Sequence, residues 1–286
     1  MVKEVEIIKS NGERQAFSRR KVYRSVKRSG APSALAREIA DRVEKEVRPG
    51  WTTLQISRRV RKLLQERRPS SSIKFNLFWA MTQLGPTGFP FERYIARVFE
   101  AQGFKTFTDE WLQGKCIRHQ VDFLAENDQN FYLGECKYHN LRGRKTSVNV
   151  VLHYFARFGD LIQGPRSANA RRKKEKVQTV LVTNTQFTSE AIRYGRCVGQ
   201  ELLGWNYPPR QGLERIIDKH KIYPITILPS FKGRRTIGIF AQEGLILAED
   251  ILTQKERLEK LALSSHFLSA LKREAQQLFE GEEKLN

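Results

Sequence analysis

The segment Leu84-Gly85-Pro86-Thr87-Gly88-Phe89-Pro90 concentrates glycine and proline more than any other stretch, and it constrains the fold most. Proline fixes φ and removes a backbone donor, glycine opens conformations other residues avoid, and no regular element runs easily through such a cluster. The hydrophobic pattern also changes across it. On the N-terminal side, weak alternation from Val5 to Ile8 runs into Lys9-Ser10-Asn11-Gly12, where Asn-Gly suits a hairpin turn, and Phe17 closes a second short strand. Ser18 is an N-cap candidate. Helical spacing follows at Val22 and Val26, at Leu35, Ile39, Val43 and Val47, at Ile56, Val60 and Leu63, and at Ile73, Leu77 and Ala80. Residues 1–84 therefore predict a hairpin plus a helical bundle, with 85–90 as a linker.

On the C-terminal side Phe91, Ile95, Val98 and Phe99 form one helical stripe that Gly103 ends. Two strand-like runs, Ile117 to Leu124 and Phe131 to Tyr138, flank the polar Glu126-Asn127-Asp128-Gln129-Asn130 and predict a hairpin. A helix from Val148 to Ile162, with Val151, Tyr154, Phe155 and Phe158 on its apolar face, leads to a basic loop from Arg166 to Lys176. Val177 to Thr183 is a buried-strand candidate, and Thr188-Ser189-Glu190 starts a helix reaching about Leu203. Strands alternating with helices in this order predict an α/β core with a mixed sheet over residues 91–249, after the α+β front unit. Residues 204–249 read as irregular connections and short strands. Over 250–286, Leu258, Leu261 and Ala262, then Leu268, Leu271, Ala275 and Leu278, predict two short amphipathic helices packed on their own domain.

Charge narrows the partner. The chain carries 51 Lys plus Arg against 31 Asp plus Glu, a net +20, and residues 1–84 hold 20 of the former and 8 of the latter. A field of that sign attracts polyanions, and DNA is the expected partner. No run of eighteen apolar residues occurs and Met1-Val2-Lys3-Glu4 is charged, so a cytoplasmic protein without a membrane span is expected. Cys116, Cys136 and Cys197 are odd in number and read as free thiols.

The second hairpin carries chemistry. If it turns at Asp128-Gln129, Asp122 lies opposite Glu135, with Cβ atoms about 5 Å apart, and Lys137 shares their face while Cys136 points away. Two carboxylates that close repel unless a cation joins them, and a hard divalent ion such as Mg²⁺ or Mn²⁺ suits the oxygen donors. An ordinary salt bridge from Lys137 to one acid is the competing account. The leading helix, Gly103, the Val121-Asp122 strand and Glu135-Cys136-Lys137 together resemble the PD-(D/E)XK restriction-endonuclease-like nucleases. Within them, Phe91 to Asn140 is similar to the branch of the Mrr methylation-dependent enzymes. Val121 stands where the family's name has proline. The resemblance implies Asp122 and Glu135 as metal ligands, Lys137 as catalytic lysine and Glu92 as an auxiliary acid. A competing zinc site would use Cys116-x-x-His119 and Cys136-x-x-His139, but strand parity turns Cys136 away from the acids and separates the two histidines.

In the front unit, Ile8-Lys9-Ser10-Asn11-Gly12, Phe17 and Lys21 resemble an ATP-cone, the regulatory nucleotide-binding module of ribonucleotide reductases. That implies ATP or dATP between hairpin and helices, with Lys9 and Lys21 near the phosphates and Gly12 allowing close backbone approach. Solvated helix faces or plain DNA contacts are the alternative for its basic residues. No Walker-type loop occurs, so nucleotide sensing is expected and hydrolysis is not. The chain thus predicts a Mg²⁺-dependent DNA endonuclease modulated by a nucleotide, and a homodimer if both strands are cut. The rival is a catalytically inactive, nucleotide-responsive DNA-binding regulator.

Overall fold

The computed structural model describes residues 5–9, 12–141, 143–173 and 175–280. Ser10 and Asn11 of the expected first turn lie outside them, as do the ends of the chain. Strands β1 (Glu6–Ile8) and β2 (Arg14–Ala16) pair antiparallel, Ile7 opposite Gln15. Gly12 has φ of 85°, the left-handed backbone that glycine adopts without Cβ cost.

Three helices pack against this hairpin: α1 (Arg19–Arg28), α2 (Ser33–Glu46) and α3 (Thr53–Arg67). The Ser18 hydroxyl accepts from the Lys21 amide to start α1. Thr52 and Gln55 form a reciprocal capping box at the head of α3, satisfying donors the helix leaves orphaned. Val22, Val26, Ile39, Val43, Ile56, Val60 and Leu63 meet in one apolar cluster with Ile7.

The next two helices, α4 (Pro69–Lys74) and α5 (Leu77–Met81), pack elsewhere: Ile73, Leu77, Ala80 and Met81 enter the larger core with the second unit. The Gly/Pro segment is likewise integrated. Leu84 is buried, Gly85 faces the Tyr138 ring so closely that a Cβ would lie 2.4 Å from it, and the Tyr138 hydroxyl donates to the Thr82 carbonyl at 2.6 Å. Helix α6 (Phe89–Glu100) starts within that segment, with Pro90 in its first turn where no amide donor is missed.

A mixed five-stranded sheet follows: β3 (Lys105–Gln113), β4 (Arg118–Glu126), β5 (Asn130–Lys137), β7 (Lys176–Thr183) and β9 (Glu201–Leu203), in that spatial order. β3, β4 and β5 are antiparallel; β7 and β9 join β5 in parallel. A side pair, β6 (Lys145–Thr146) with β8 (Gln186–Phe187), flanks it. Helices α7 (Val148–Ile162) and α8 (Pro165–Arg172) make the crossover from β5 to β7, and α9 (Ser189–Val198) leads to β9. The remaining helices are α10 (Leu213–His220), α11 (Arg234–Gln242), α12 (Asp250–Thr253), α13 (Lys255–Glu259) and α14 (Ser265–Glu280). One sheet face, with Phe123, Ala125, Cys136, Val180 and Val182, packs on Phe91, Tyr94, Ile95 and Val98 of α6. On the other face, Val121, Leu124, Phe131 and Leu133 pack against Phe158 and Leu161 of α7.

Several expectations are corrected here. Strand β3 was not foreseen, because Lys105, Asp109 and Glu110 interrupt its apolar alternation on a sheet edge. The expected basic loop is mostly α8, where Pro165 at the first position and buried Ser167 and Ala170 hold a helix. The helix expected to reach Leu203 stops at Gly199, whose φ of 70° ends α9 and releases β9. The expected strands of 204–249 include α10 and α11 instead. Phe155 is exposed against Tyr194 and takes no part in the core. Leu271, Ala275 and Leu278 of α14 do pack into the main core, as expected of the C-terminal tail.

Candidate functional site

The hairpin register holds as expected. Phe123 opposes Gly134, and the pairing continues through Glu126 and Phe131. Beyond Phe123 the regular ladder of β4 and β5 ends, and the Asp122 carboxylate takes over: its Oδ2 accepts from the Cys136 amide at 2.7 Å. On the other side, β3 and β4 pair before and after this point, Thr108 with Phe123 and Glu110 with Val121. Between them Asp109 adopts φ of 62°, and its carboxylate accepts from the Gln120 side chain. Asp122 therefore lies where both of its neighbouring strands depart from regular pairing.

Acids converge there. Glu135 is 1% exposed; burial first and the Asp122 charge second push its carboxyl up to about 9. Asp122 is also raised, by burial, against the lowering pull of the Cys136 amide and Arg157. Glu92, in the first turn of α6, is raised to about 7 by burial, then by Asp122 and Asp109. These mutual effects show that Glu92, Asp109, Asp122 and Glu135 form one electrostatically coupled group. Lys137 is half-buried and, by strand alternation, on the Glu135 face; among the described residues it has no ion-pair partner. The competing salt bridge is thus not formed.

The counter-charge comes from α7. Arg157 Nη1 lies 3.1 Å from Glu135 Oε1, an ion pair whose alignment falls short of a hydrogen bond, so this buried oxygen keeps unspent acceptor capacity. The same guanidinium donates to the Gln120 carbonyl and stacks over Tyr154, 5.4 Å from its centroid. Arg157 and Asp109 escaped the sequence reading. Arg157 carried a signal, a cation three positions after Tyr154 on the helix facing the sheet; Asp109 lay in the unrecognised strand.

Carboxylate oxygens are the donor chemistry a hard divalent cation takes, and the unaligned Glu135 oxygen is consistent with one. As arranged, however, no group of three or more His, Cys, Asp or Glu side chains among the described residues stands ready to hold a metal ion. The zinc alternative also fails to assemble. Cys116 is exposed, His119 bonds Asp160 at 2.8 Å, Cys136 is buried on the opposite sheet face, and His139 bonds Thr146 at 3.0 Å.

In the front unit Lys9 Nζ pairs with Glu13 at 2.8 Å, and Lys21 Nζ donates to Gln15 at 3.3 Å. Lys21, Ile7, Gln15 and Ile56 line a cavity of about 160 Å³ between hairpin and helices. An adjoining cavity of about 570 Å³, sharing Thr53 and Ser57, contains Lys9. Both expected lysines thus border adjoining cavities, whereas Gly12 lines neither.

Residues 5–82 match the ATP cone domain. That supports a nucleotide ligand for this unit. An uncharacterized protein of Archaeoglobus fulgidus is 34% identical over 172 residues, covering 60% of this chain and 91% of the relative. The chain belongs to that protein's family. The shared stretch is longer than the cone, so family membership extends into the second unit. A crystal structure of a protein of unknown function, AF1548, is similar at 30% identity with a TM-score of 0.53, covering 69% of this chain and 98% of that one.

Proposed function

We propose that the protein is a metal-dependent endonuclease that hydrolyses DNA phosphodiester bonds at the Asp122–Glu135 pocket under control of ATP or dATP bound to the cone. The observation that carries this reading is the convergence of the buried Glu135 with the half-buried Asp122 and Glu92 where β4 and β5 part, with Lys137 on the same strand face as Glu135. Asp122 and Glu135 would hold Mg²⁺ or Mn²⁺, which when bound supplies Lewis acidity toward a phosphoryl oxygen. The chain's own groups do the rest. The Cys136 amide holds Asp122 in place, Lys137 orients the attacking water and offsets developing negative charge, and Glu92, poised near neutrality, takes a proton from that water. Cutting both strands requires two such pockets, so a homodimer belongs to the proposal.

One observation favours a second reading. Arg157 already lies on Glu135, as a permanent internal cation would in a DNA-binding regulator that has no need of a metal. Supercoiled plasmid incubated with Mg²⁺ or Mn²⁺ separates the two. The endonuclease reading expects nicking by the wild type and loss of about two orders of magnitude or more in Lys137→Ala and Glu135→Gln. Equal nicking by all three proteins, or retention of plasmid without any cleavage, favours the regulator.

A further inference from the structure

Helix α3 presents its cations unequally. On the side facing α2, Arg59 pairs with Glu46 and Arg67 with Glu38. On the other side Arg58, Arg61 and Lys62 are exposed, and among the described residues none of them has an ion-pair partner. Their i, i+3 and i+4 spacing puts all three on one helix face, and Gln65 continues that face one turn on. Opposite stands α5 with the exposed indole of Trp79, and beyond it the 226–233 segment, which brings Lys232. The walls are held together, because Thr226 Oγ1 donates to the Ala80 carbonyl at 2.8 Å. The groove between them has a volume of about 640 Å³ and runs into the cavity of about 570 Å³ through Arg58, Arg61, Asn76 and Trp79, which line both.

We propose that this groove binds a single strand of nucleic acid, with backbone phosphates against Arg58, Arg61 and Lys62 and a base stacked on Trp79. A row of unpaired cations beside an exposed aromatic plane is what a strand needs, since phosphates are met in series and any base has a face to stack. The row favours a strand over a lone phosphate. From Arg58 to Gln65 the helix rises roughly 10 Å, and Lys232 extends the positive lining beyond it. One hydrogen bond ties the groove wall to the strand that carries Glu135 and Lys137. Gln83 lines the groove, and the carbonyl of the preceding Thr82 accepts the hydroxyl of Tyr138, the residue after Lys137. The proposal names the track of the substrate strand and rests on the endonuclease reading only for that strand being DNA.

The test is fluorescence anisotropy of a labelled oligothymidylate with the full chain, without divalent metal so that nothing is cut, over a series of salt concentrations. Arg58→Ala/Arg61→Ala should weaken binding by about tenfold or more and lower the log–log salt slope by about 1.4. Trp79→Ala should weaken it by about tenfold, with Trp79→Phe restoring most of the loss. An Arg171→Ala/Arg172→Ala variant of α8 controls for bulk charge. These positions are exposed, and circular dichroism checks that each variant is folded. No binding by the wild type, or equal losses in groove and α8 variants, overturns the proposal. So does loss of ATP affinity with strand affinity unchanged, which would assign the groove to the nucleotide. Strand binding lost in the groove variants while the wild type never nicks plasmid leaves the groove standing and removes the endonuclease.

Discussion

Arg157 Nη1 lies 3.1 Å from Glu135 Oε1, so a guanidinium from α7 offsets part of the charge of an acid almost wholly buried on β5. Glu135 still resists ionisation, at about 9, because burial and Asp122 outweigh Arg157. A carboxyl whose value is raised on folding stabilises most below its ordinary value near 4.5, and that contribution is lost as pH rises through about 9. Glu92, raised to about 7, acts in the same direction. The melting temperature of metal-free protein should therefore fall from pH 5 to pH 9. Glu135→Gln should flatten this slope and raise the melting temperature at pH 9, and Arg157→Met should steepen it. A Glu135→Gln variant with an unchanged slope contradicts the assignment.

Divalent cation should act through the same acids. If Asp122 and Glu135 take Mg²⁺ or Mn²⁺, the ion replaces the protons that hold the pocket together, and its stabilising effect should be larger at pH 8 than at pH 6. Calorimetric scans with and without millimolar MnCl₂ measure this. Equal shifts in wild type and Glu135→Gln would place the ion elsewhere.

Gly134 is required by its cross-strand partner. Phe123 lies directly opposite and covers it, and a Cβ at Gly134 would come 2.1 Å from the ring. Gly134→Ala should displace Phe123 from the core it shares with Phe99, whose ring centroid is 4.9 Å away, and destabilise by about 1–3 kcal/mol. Urea denaturation reads the loss, and the paired change Phe123→Leu should recover part of it.

Nucleotide binding should depend on Lys21 more than on Lys9. Lys21 borders the cavity between hairpin and helices, whereas Lys9 is already paired with Glu13. Calorimetric titration with ATP and dATP should show about tenfold weaker binding for Lys21→Ala, from loss of one charge-assisted phosphate contact. Undiminished affinity moves the nucleotide out of that cavity.

Helix α14 should be indispensable to the second unit. Leu271 and Leu278 are fully buried in the main core, and Glu274 accepts from the Ser230 amide at 2.9 Å. Leu278→Ala should cost about 2–5 kcal/mol, seen as a lower urea midpoint with unchanged slope.

By itself the sequence determined what depends on local chemistry and on periodicity. Alternation in β4 and β5, with a polar turn between them, was enough for the register that sets Asp122 beside Glu135 and turns Cys136 into the core. The residues of the first hairpin, with Lys9, Gly12 and Lys21, were enough for the cone. What required long-range packing was decided only by the tertiary structure. Strand β3 is charged in its middle and is held in place by β4 more than by its own pattern. Helices α4 and α5 follow the cone in the chain, yet bury Ile73, Leu77 and Met81 in the other core, because α14 and the sheet supply apolar partners there. The acid pocket itself joins α6, β3, β4, β5 and α7. Glu92, Asp109, Asp122, Glu135 and Arg157 are spread from residue 92 to residue 157. No periodicity relates positions so far apart; the desolvation that raises the acids and the guanidinium that opposes it exist only once those elements close around the pocket.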